Sequence, residues 1–319
     1  MSNLSGGQIL ALCFASGVFF VFSSACAQSF SQTIGILLCM IFMLIIIGIA
    51  SVFARGKDFG TLSHALLFFS LICSGAGCVA SFYNAESSAD FGINHKTMLA
   101  VLLAVAVIYC ASLGIKASAR CAVVISALSV FAIFLLILGA FSKLSIKNLQ
   151  FDFDVDKTLD FSLESFCLSA LTVVAISLII QQKSEKKSKY AFLGVALSGT
   201  TGVALSVLYQ AIGADTSSYF ELFAQAQPFA VQSGEWVYIV IYGMLSVLTL
   251  SLIITLAVDS LKSVFPKIKF ASVICAGCIF ALAAIMPYAD IRTKPIILAS
   301  VITAMPSVLL GHSAHKKHD

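Results

Sequence analysis

Residues 31–53, SQTIGILLCMIFMLIIIGIASVF, form an apolar run without a single Asp, Glu, Lys or Arg. A helix needs about 20 mainly apolar residues to cross the hydrocarbon core of a bilayer, and this run is long enough. The same character extends over the whole chain of 319 residues, of which 60% are hydrophobic and 11% charged. Soluble globular domains carry roughly a quarter charged residues. The composition therefore predicts a membrane protein with several spans.

Apolar runs of helical length recur along the chain. Long runs rich in Leu, Ile, Val and Ala favour helices, because the strands of a membrane barrel alternate apolar and polar residues over shorter stretches. We therefore predict an all-α polytopic membrane protein with ten transmembrane helices, at residues 8–27, 31–53, 60–83, 97–114, 117–142, 161–182, 189–213, 235–261, 269–288 and 292–311. Ala25 and Ala27 resemble a signal-peptidase site, but no Lys or Arg precedes the run, so we expect a mature helix.

The positions of the basic residues predict the orientation of these helices. If the N-terminus is cytoplasmic, the cytoplasmic connections hold 13 of the 19 Lys and Arg residues, at positions 55, 57, 116, 120, 183, 186, 187, 189, 262, 267, 269, 316 and 317. Lys and Arg are enriched in cytoplasmic loops of membrane proteins. We therefore expect both termini in the cytoplasm.

Two connections are long, and both are predicted to be outer. The first, residues 143–160, carries Asp152, Asp154, Asp156 and Asp160. It lacks the Gly that a calcium loop needs at its sharp turn, so we interpret it as a connection whose carboxylates face water. The second, 214–234, mixes aromatic and polar residues and could lie on the outer surface as short amphipathic helices.

Helix number and loop lengths suggest internal duplication. A unit of five helices inserts upside down when it is repeated, which is the inverted-repeat plan of many secondary transporters. We predict one transmembrane domain over 1–319, with repeats at 8–142 and 161–311. Residues 143–160 join the repeats, and residues 312–319 form a cytoplasmic tail.

Residues 97–149, beginning TMLAVLLAVAVIYCASLGIKASARC and ending KLSIKNL, resemble the fourth and fifth helices of the B subunits of bacterial spore germinant receptors. The shared features are a turn at Gly114, the polar pair Ser118 and Arg120, and an entry to the outer loop at 146–149. The similarity continues through SALTVVAISLIIQQKSEKKSKYAFLGVALSG and GEWVYIVIYGMLSVLTLSLIITLAVDSLKSVF. It covers most of residues 97–290.

The resemblance implies the amino acid–polyamine–organocation superfamily and a leucine-transporter-like fold of five plus five helices. In that fold the first and sixth helices are broken, and the ligand sits at the breaks. The first segment here offers Ser16 and Gly17 but lacks the Pro that usually follows the break. The sixth lacks the usual Gly and acidic residue, and it is about two turns short, each turn being 5.4 Å.

Candidate ligand-binding residues are therefore small and polar. Besides Ser16 and Gly17 they are Ser74 and Gly75 in the third segment, Ser169 and Thr172 in the sixth, and Ser246 in the eighth. The alternative is structural, since small residues let membrane helices pack closely and Ser or Thr often bonds to its own helix.

Other chemistry has little support. Cys275 and Cys278, and the tail histidines His312, His315 and His318, have spacings that metal sites use, but an apolar helix and a basic terminal tail are the simpler interpretations. We find no nucleophile elbow, phosphate loop or zinc-protease motif, so we expect no enzyme, no metal and no cofactor.

The resemblance, together with the short sixth segment, leaves three alternative functions. The first is a nutrient receptor or permease subunit of spore germination, binding an amino-acid-like molecule and acting with a soluble-and-membrane A-type subunit and a lipoprotein. The second is a secondary transporter of amino acids or related solutes. The third is a reduced scaffold subunit that does not transport. All three place the chain in a bacterial cell or spore inner membrane, in contact with the lipid bilayer and not with nucleic acid.

Overall fold

A computed structural model describes residues 4–24, 26–54, 57–88, 93–149, 151–164, 169–182, 185–213, 219, 222–223, 235–286, 293–310 and 312–313. Helices account for most of these residues. They are α1 Gly6–Ser23, α2 Phe30–Phe53, α3 Thr61–Ser88, α4 Ile93–Ser112, α5 Ile115–Ala140, α6 Val155–Glu164, α7 Ser169–Gln182, α8 Glu185–Ile212, α9 Glu235–Val264, α10 Ala271–Ile285 and α11 Thr293–Leu309.

The described helices include six that are long and apolar enough to cross a membrane: α1, α2, the part of α3 up to Tyr83, α5, α8 from Lys187 and α9 from Trp236. Shorter apolar helices occur at Ala100–Ser112, Ala170–Gln181, Ala271–Ile285 and Ser300–Leu309, within the fourth, sixth, ninth and tenth predicted segments. The prediction of a helical integral membrane protein is confirmed.

The turn between α4 and α5 lies where the sequence predicted it. Gly114 has a φ of 81°, a left-handed value that side chains with a Cβ rarely adopt, and it caps the start of α5. Only Leu113 and Gly114 separate the two helices, so the fourth and fifth predicted segments are joined by a tight turn.

The sixth predicted segment, 161–182, differs from the structure. Its residues 161–164 belong to α6, which already begins at Val155 inside the predicted connection 143–160, and its residues 169–182 form α7. Asp156, Lys157 and Asp160 make α6 amphipathic, so this helix is not a hydrocarbon span. Phe161 and Leu163 are apolar, so hydropathy alone does not distinguish the end of α6 from α7.

Helix α1 lies at the centre of the fold. It contacts α3, α5, α7, α8 and α9, and residues Leu12 to Phe22 are all buried. Helices α3 and α9 pack on each other. Helix α3 also contacts α10 and α11, and α9 also contacts α4 and α5. By contrast, α2 and α5 expose many large apolar side chains on one side, as a lipid-facing helix does.

Helices α1 and α8 approach closely through small residues. Gly194, Ser198 and Gly202 recur at spacing four along α8 and face α1. A Cβ on Gly194 would lie 2.7 Å from the Leu10 carbonyl oxygen, and one on Gly17 would overlap the Ser198 side chain. This is the small-residue contact that lets membrane helices pack backbone to backbone.

One face of the bundle, the predicted outer face, is held together by polar contacts. The Gln210 side-chain amide of α8 donates to the Ala27 and Ser29 carbonyls (3.3 and 2.9 Å) and to Thr33 Oγ1 (2.7 Å). It thereby fixes the α1–α2 connection. On the opposite face Lys57–Asp58 pairs antiparallel with His312–Ser313, so the end of the chain returns to the α2–α3 connection.

Residues 141–154, which we call the strap, cross the predicted outer face from α5 to α6. The Ser145 amide and the Asn148 side-chain amide both donate to the Ala211 carbonyl at the end of α8 (2.9 and 3.2 Å). Further on, Ser31 Oγ of α2 donates to the Asp152 carbonyl and accepts from the Asp154 amide, both at 2.8 Å. The strap therefore caps one helix and is fastened to another.

Candidate functional site

Ser16 and Gly17, predicted at a break in the first helix, lie within the unbroken helix α1. Helix α1 is helical from Gly6 to Ser23, so the break that the resemblance implies is absent from this described helix. Gly17 is pressed against Ser198 of α8 and Leu171 of α7. Its role in the structure is close helix packing, and Ser16 beside it is fully buried.

Ser74 and Gly75 of α3 also lie in a packed interface. Ser74 Oγ donates to Ser300 Oγ of α11 at 3.1 Å, one turn from a second hydroxyl pair, Ser70 with Thr303, at 2.8 Å. A Cβ on Gly75 would lie 2.6 Å from Ile279 Cδ1. These contacts join α3 to α10 and α11, and they are hydroxyl bonds between helices of the kind found inside membrane bundles.

The other three predicted ligand-binding residues lie on α7 and α9. Ser246 of α9 is buried, and its hydroxyl donates to the Gly243 carbonyl of its own helix at 2.8 Å. Thr172 of α7 is fully buried and its Oγ1 has no hydrogen-bond partner. Ser169 begins α7, but its side chain lies outside the part of the structure that is described.

Three hydroxyls without partners lie on three helices that meet in the core. They are Ser16 Oγ of α1, Thr172 Oγ1 of α7 and Thr249 Oγ1 of α9, and all three residues are fully buried. Each pair of these helices is in contact. A buried hydroxyl without a hydrogen bond costs about 1–3 kcal/mol. We call these three residues the central hydroxyls.

An aromatic cluster separates the centre from the predicted outer face. Tyr242 of α9 stacks with Phe19 of α1 (ring centroids 5.5 Å apart), with Phe82 of α3 (5.8 Å) and with Tyr238 (5.4 Å). Phe22 contacts Tyr219 and Phe223 from the second long connection, at 5.9 and 5.8 Å. The cluster comprises Phe19, Phe22, Phe82, Tyr219, Phe223, Tyr238 and Tyr242, and each member is at most 6% exposed.

Hydrogen bonds fix this cluster to the end of α1. Tyr238 donates to the Phe22 carbonyl at 3.1 Å, and the Tyr242 and Ser23 hydroxyls share a bond of 3.0 Å. Burial raises the pKa of the Tyr219 phenol well above its ordinary value, so that side chain is neutral. Tyr219 and Phe223 of the connection 214–234 are therefore buried, as the apolar side of an amphipathic segment would be, while most of that connection lies outside the described residues.

Two cavities among the described residues lie at the sides of the bundle. One of about 450 Å³ lies between α9 and the residues on either side of the α4–α5 turn, with Ser118, Cys121, Gly243 and Val247 in its lining. A second of about 350 Å³ lies between α5 and α8. The linings of both are almost entirely apolar, so neither provides the polar contacts that would orient an amino acid.

Charge is absent from the described core. The buried polar side chains in the described ranges are Ser, Thr and Gln, and no Asp, Glu, Lys, Arg or His is among them. Within the same ranges, no three His, Cys, Asp or Glu side chains come together in a way that could hold a metal. Cys275 is buried while Cys278, three residues on, is exposed.

Sequence reasoning missed Thr249 and the aromatic cluster. Thr249 sits among eight apolar or small neighbours, and nothing local separates it from the hydroxyls that bond to their own helix. The aromatic residues carried a usable signal, since Tyr238 and Tyr242 are spaced four apart and share a helix face. Neither the comparison with protein-family models nor the comparison with curated proteins finds a match for this chain.

Proposed function

We propose that the chain is a ten-span membrane subunit that binds a small neutral or zwitterionic nutrient, and that it serves as the permease-type subunit of a spore germinant receptor. Its termini are cytoplasmic, and it acts with an A-type subunit and a lipoprotein. The observation that carries the proposal is the set of three central hydroxyls, buried without partners on α1, α7 and α9, three helices that contact one another.

The pairing of helices supports the inverted repeat. If α1 to α5 correspond in order to α7 to α11, most of the larger contacts between described helices have a counterpart under this exchange, although α7–α8 and α9–α10 do not. The contact α1–α8 corresponds to α7–α2, α1–α5 to α7–α11, α3–α11 to α9–α5, and α3–α10 to α9–α4. The contacts α1–α7, α2–α8, α3–α9 and α4–α10 correspond to themselves, as those across a two-fold axis must.

The chemistry of the centre supports a neutral or zwitterionic solute. Hydroxyls both donate and accept hydrogen bonds, so they suit a carboxylate, an ammonium or an amide. Within the described ranges no carboxylate or histidine is among the buried side chains, so a proton relay through such groups has little support there. This favours binding and sensing over ion-driven transport by a secondary transporter.

Solute binding by purified protein in lipid nanodiscs tests the proposal. A ligand at 100 times its Kd stabilises a protein by about 2.7 kcal/mol, which a thermal-unfolding screen of amino acids and related solutes detects. Thr172→Val keeps the shape of the side chain and removes its hydroxyl. We expect this variant to lose the stabilisation by solute while its unliganded form unfolds at a higher temperature.

Ser177→Ala is the matched control. Ser177 lies on the same helix and is also fully buried, but its hydroxyl donates to the Val173 carbonyl at 2.7 Å. It should bind solute as the wild type does. If no solute stabilises the wild type more than Thr172→Val, or if deletion of the gene leaves spores responsive to every nutrient, the proposal fails.

The second candidate function, a scaffold subunit without a ligand, is favoured by one observation. Helix α1 is continuous through Ser16 and Gly17, where a leucine-transporter-like protein would place its break. A scaffold would copurify with the A-type subunit and the lipoprotein, and it would bind none of the solutes in the screen. Copurification together with solute binding that depends on Thr172 would exclude it.

A further inference from the structure

The end of the strap and the start of α6 carry an alternation of apolar and acidic residues, Phe151 to Asp156. Residues 151–154 are not helical, and alternate side chains of an extended segment point to opposite sides. Phe151 is 73% exposed, Phe153 57% and Val155 56%, although large apolar side chains are usually covered. This stretch therefore presents an uncovered apolar side opposite an acidic one.

Helix α6 also carries its exposed apolar residues and its acidic residues on different sides. Thr158 and Phe161 are buried and face α2, where a Cβ on Gly35 would lie 2.9 Å from the Thr158 carbonyl oxygen. Leu159, one turn after Val155, is 51% exposed, and Asp160 follows Asp156 at the same spacing. On a helix of 3.6 residues per turn, the exposed apolar side lies between the α2 contact and the acidic side.

The contacts with α2 indicate the depth at which this surface lies relative to the bilayer. Phe151 packs edge to face on Phe30, the first residue of α2, with ring centroids 5.2 Å apart. Farther along α2, exposed apolar side chains begin at Leu37, about 10 Å from Phe30 at 1.5 Å per residue. Helix α2 has 24 residues, so at the same rise it exceeds the roughly 30 Å hydrocarbon core, and its first turn lies near headgroup level.

We propose that Phe151, Phe153, Val155 and Leu159 insert into the interface of the outer leaflet, so that α6 and the end of the strap lie on the bilayer surface. In this arrangement Asp152, Asp156 and Asp160 face water. Aromatic residues concentrate at the membrane interface, and amphipathic helices lie in its plane. The carboxylates favour zwitterionic over anionic headgroups. The choice of the outer leaflet rests on the cytoplasmic termini of the proposed function, whereas the contact with lipid does not.

Tryptophan scanning in vesicles tests the proposal. Trp236 is the chain's only tryptophan and is 65% exposed, so Trp236→Phe provides a silent background. Single tryptophans are then placed on the apolar side (F151W, F153W and L159W) and on the acidic side (D156W). Each variant is reconstituted in phosphatidylcholine with and without bromine on the acyl chains near the headgroup, and iodide is added to the water phase in parallel.

We expect brominated lipid to quench the three apolar-side tryptophans and iodide to quench D156W. Three positions are used so that a variant that fails to fold does not decide the outcome. Quenching by iodide alone at positions 151, 153 and 159 would overturn the proposal. So would emission at these positions that depends on protein density in the vesicle and not on bromine, because a second copy of the chain would then cover this surface.

Discussion

Gly17→Ala tests whether α1 and α8 are packed as closely as the structure shows. The added Cβ would overlap Ser198 Oγ and Ser198 Cβ, and it would lie 3.0 Å from Leu171 Cδ2. A rotamer change moves the Ser198 hydroxyl but not its Cβ, so the two helices must separate. Carbon atoms need about 3.5–4.0 Å between them.

The magnitude follows from two opposing terms. Overpacking of a well-filled interior costs typically 1–3 kcal/mol, and an overlap with a Cβ belongs near the upper limit. Replacing Gly by Ala inside a helix gains up to about 1 kcal/mol. We therefore expect Gly17→Ala to lower the free energy of unfolding by about 2 kcal/mol, on the basis of these two terms.

Unfolding in mixed detergent, followed by the folded fraction at increasing SDS, measures this difference. Gly48→Ala in α2 is the matched control, since a Cβ there meets nothing within 4 Å and should be neutral or stabilising. Adding Ser198→Gly to Gly17→Ala removes both overlapping atoms and should restore most of the loss. Equal stability of Gly17→Ala and Gly48→Ala, or no restoration in the double variant, would refute the reasoning.

Three further predictions concern the predicted outer face. Gly35→Ala should loosen α6 from α2, because its Cβ would lie 2.9 Å from the Thr158 carbonyl oxygen; faster amide exchange confined to α6 would show this. Gln210→Leu removes the donor to the Ala27 carbonyl and to Thr33 Oγ1, while the Ser29 carbonyl still accepts from the Thr33 amide; it should cost about 1–3 kcal/mol, measured by SDS unfolding, with normal stability contradicting the bonds. Asp154 accepts from the Asp156 and Lys157 amides, chiefly the latter, which holds the pKa of its carboxyl below 3.8. Its stabilisation of α6 is therefore present above pH 3.8 and lost as pH falls through the lower folded value, and Asp154→Asn should abolish that pH dependence of exchange in α6.

The sequence allowed the spans and the tight α4–α5 turn to be predicted, because both depend on local properties. Run length and apolarity identify a membrane helix, and Gly114 allows the left-handed backbone that the turn requires. The division between α6 and α7 could not be predicted in this way. Phe161 is apolar whether it packs on α2 or enters the bilayer, so a hydropathy window joins it to α7.

Side-chain roles in the core were harder to predict for a related reason. Helices that are apolar all round have no periodic pattern that shows which side faces which neighbour. Ser74 and Ser177 have the same side chain, yet one bonds across to α11 and the other to its own helix. Only the three-dimensional arrangement shows that Thr172 and Thr249 have no partner.

The strap has a mechanical consequence. It leaves α5, binds the end of α8 through Ser145 and Asn148, and is then fastened to Ser31 at the start of α2. Gln210 adds a second tie between α8 and the α1–α2 connection. When helices are tied at one end, their relative displacement is smallest at that end and increases with distance from it. Any large separation of α8 from α1 and α2 must therefore be widest at the opposite face, where the chain end pairs with residues 57–58.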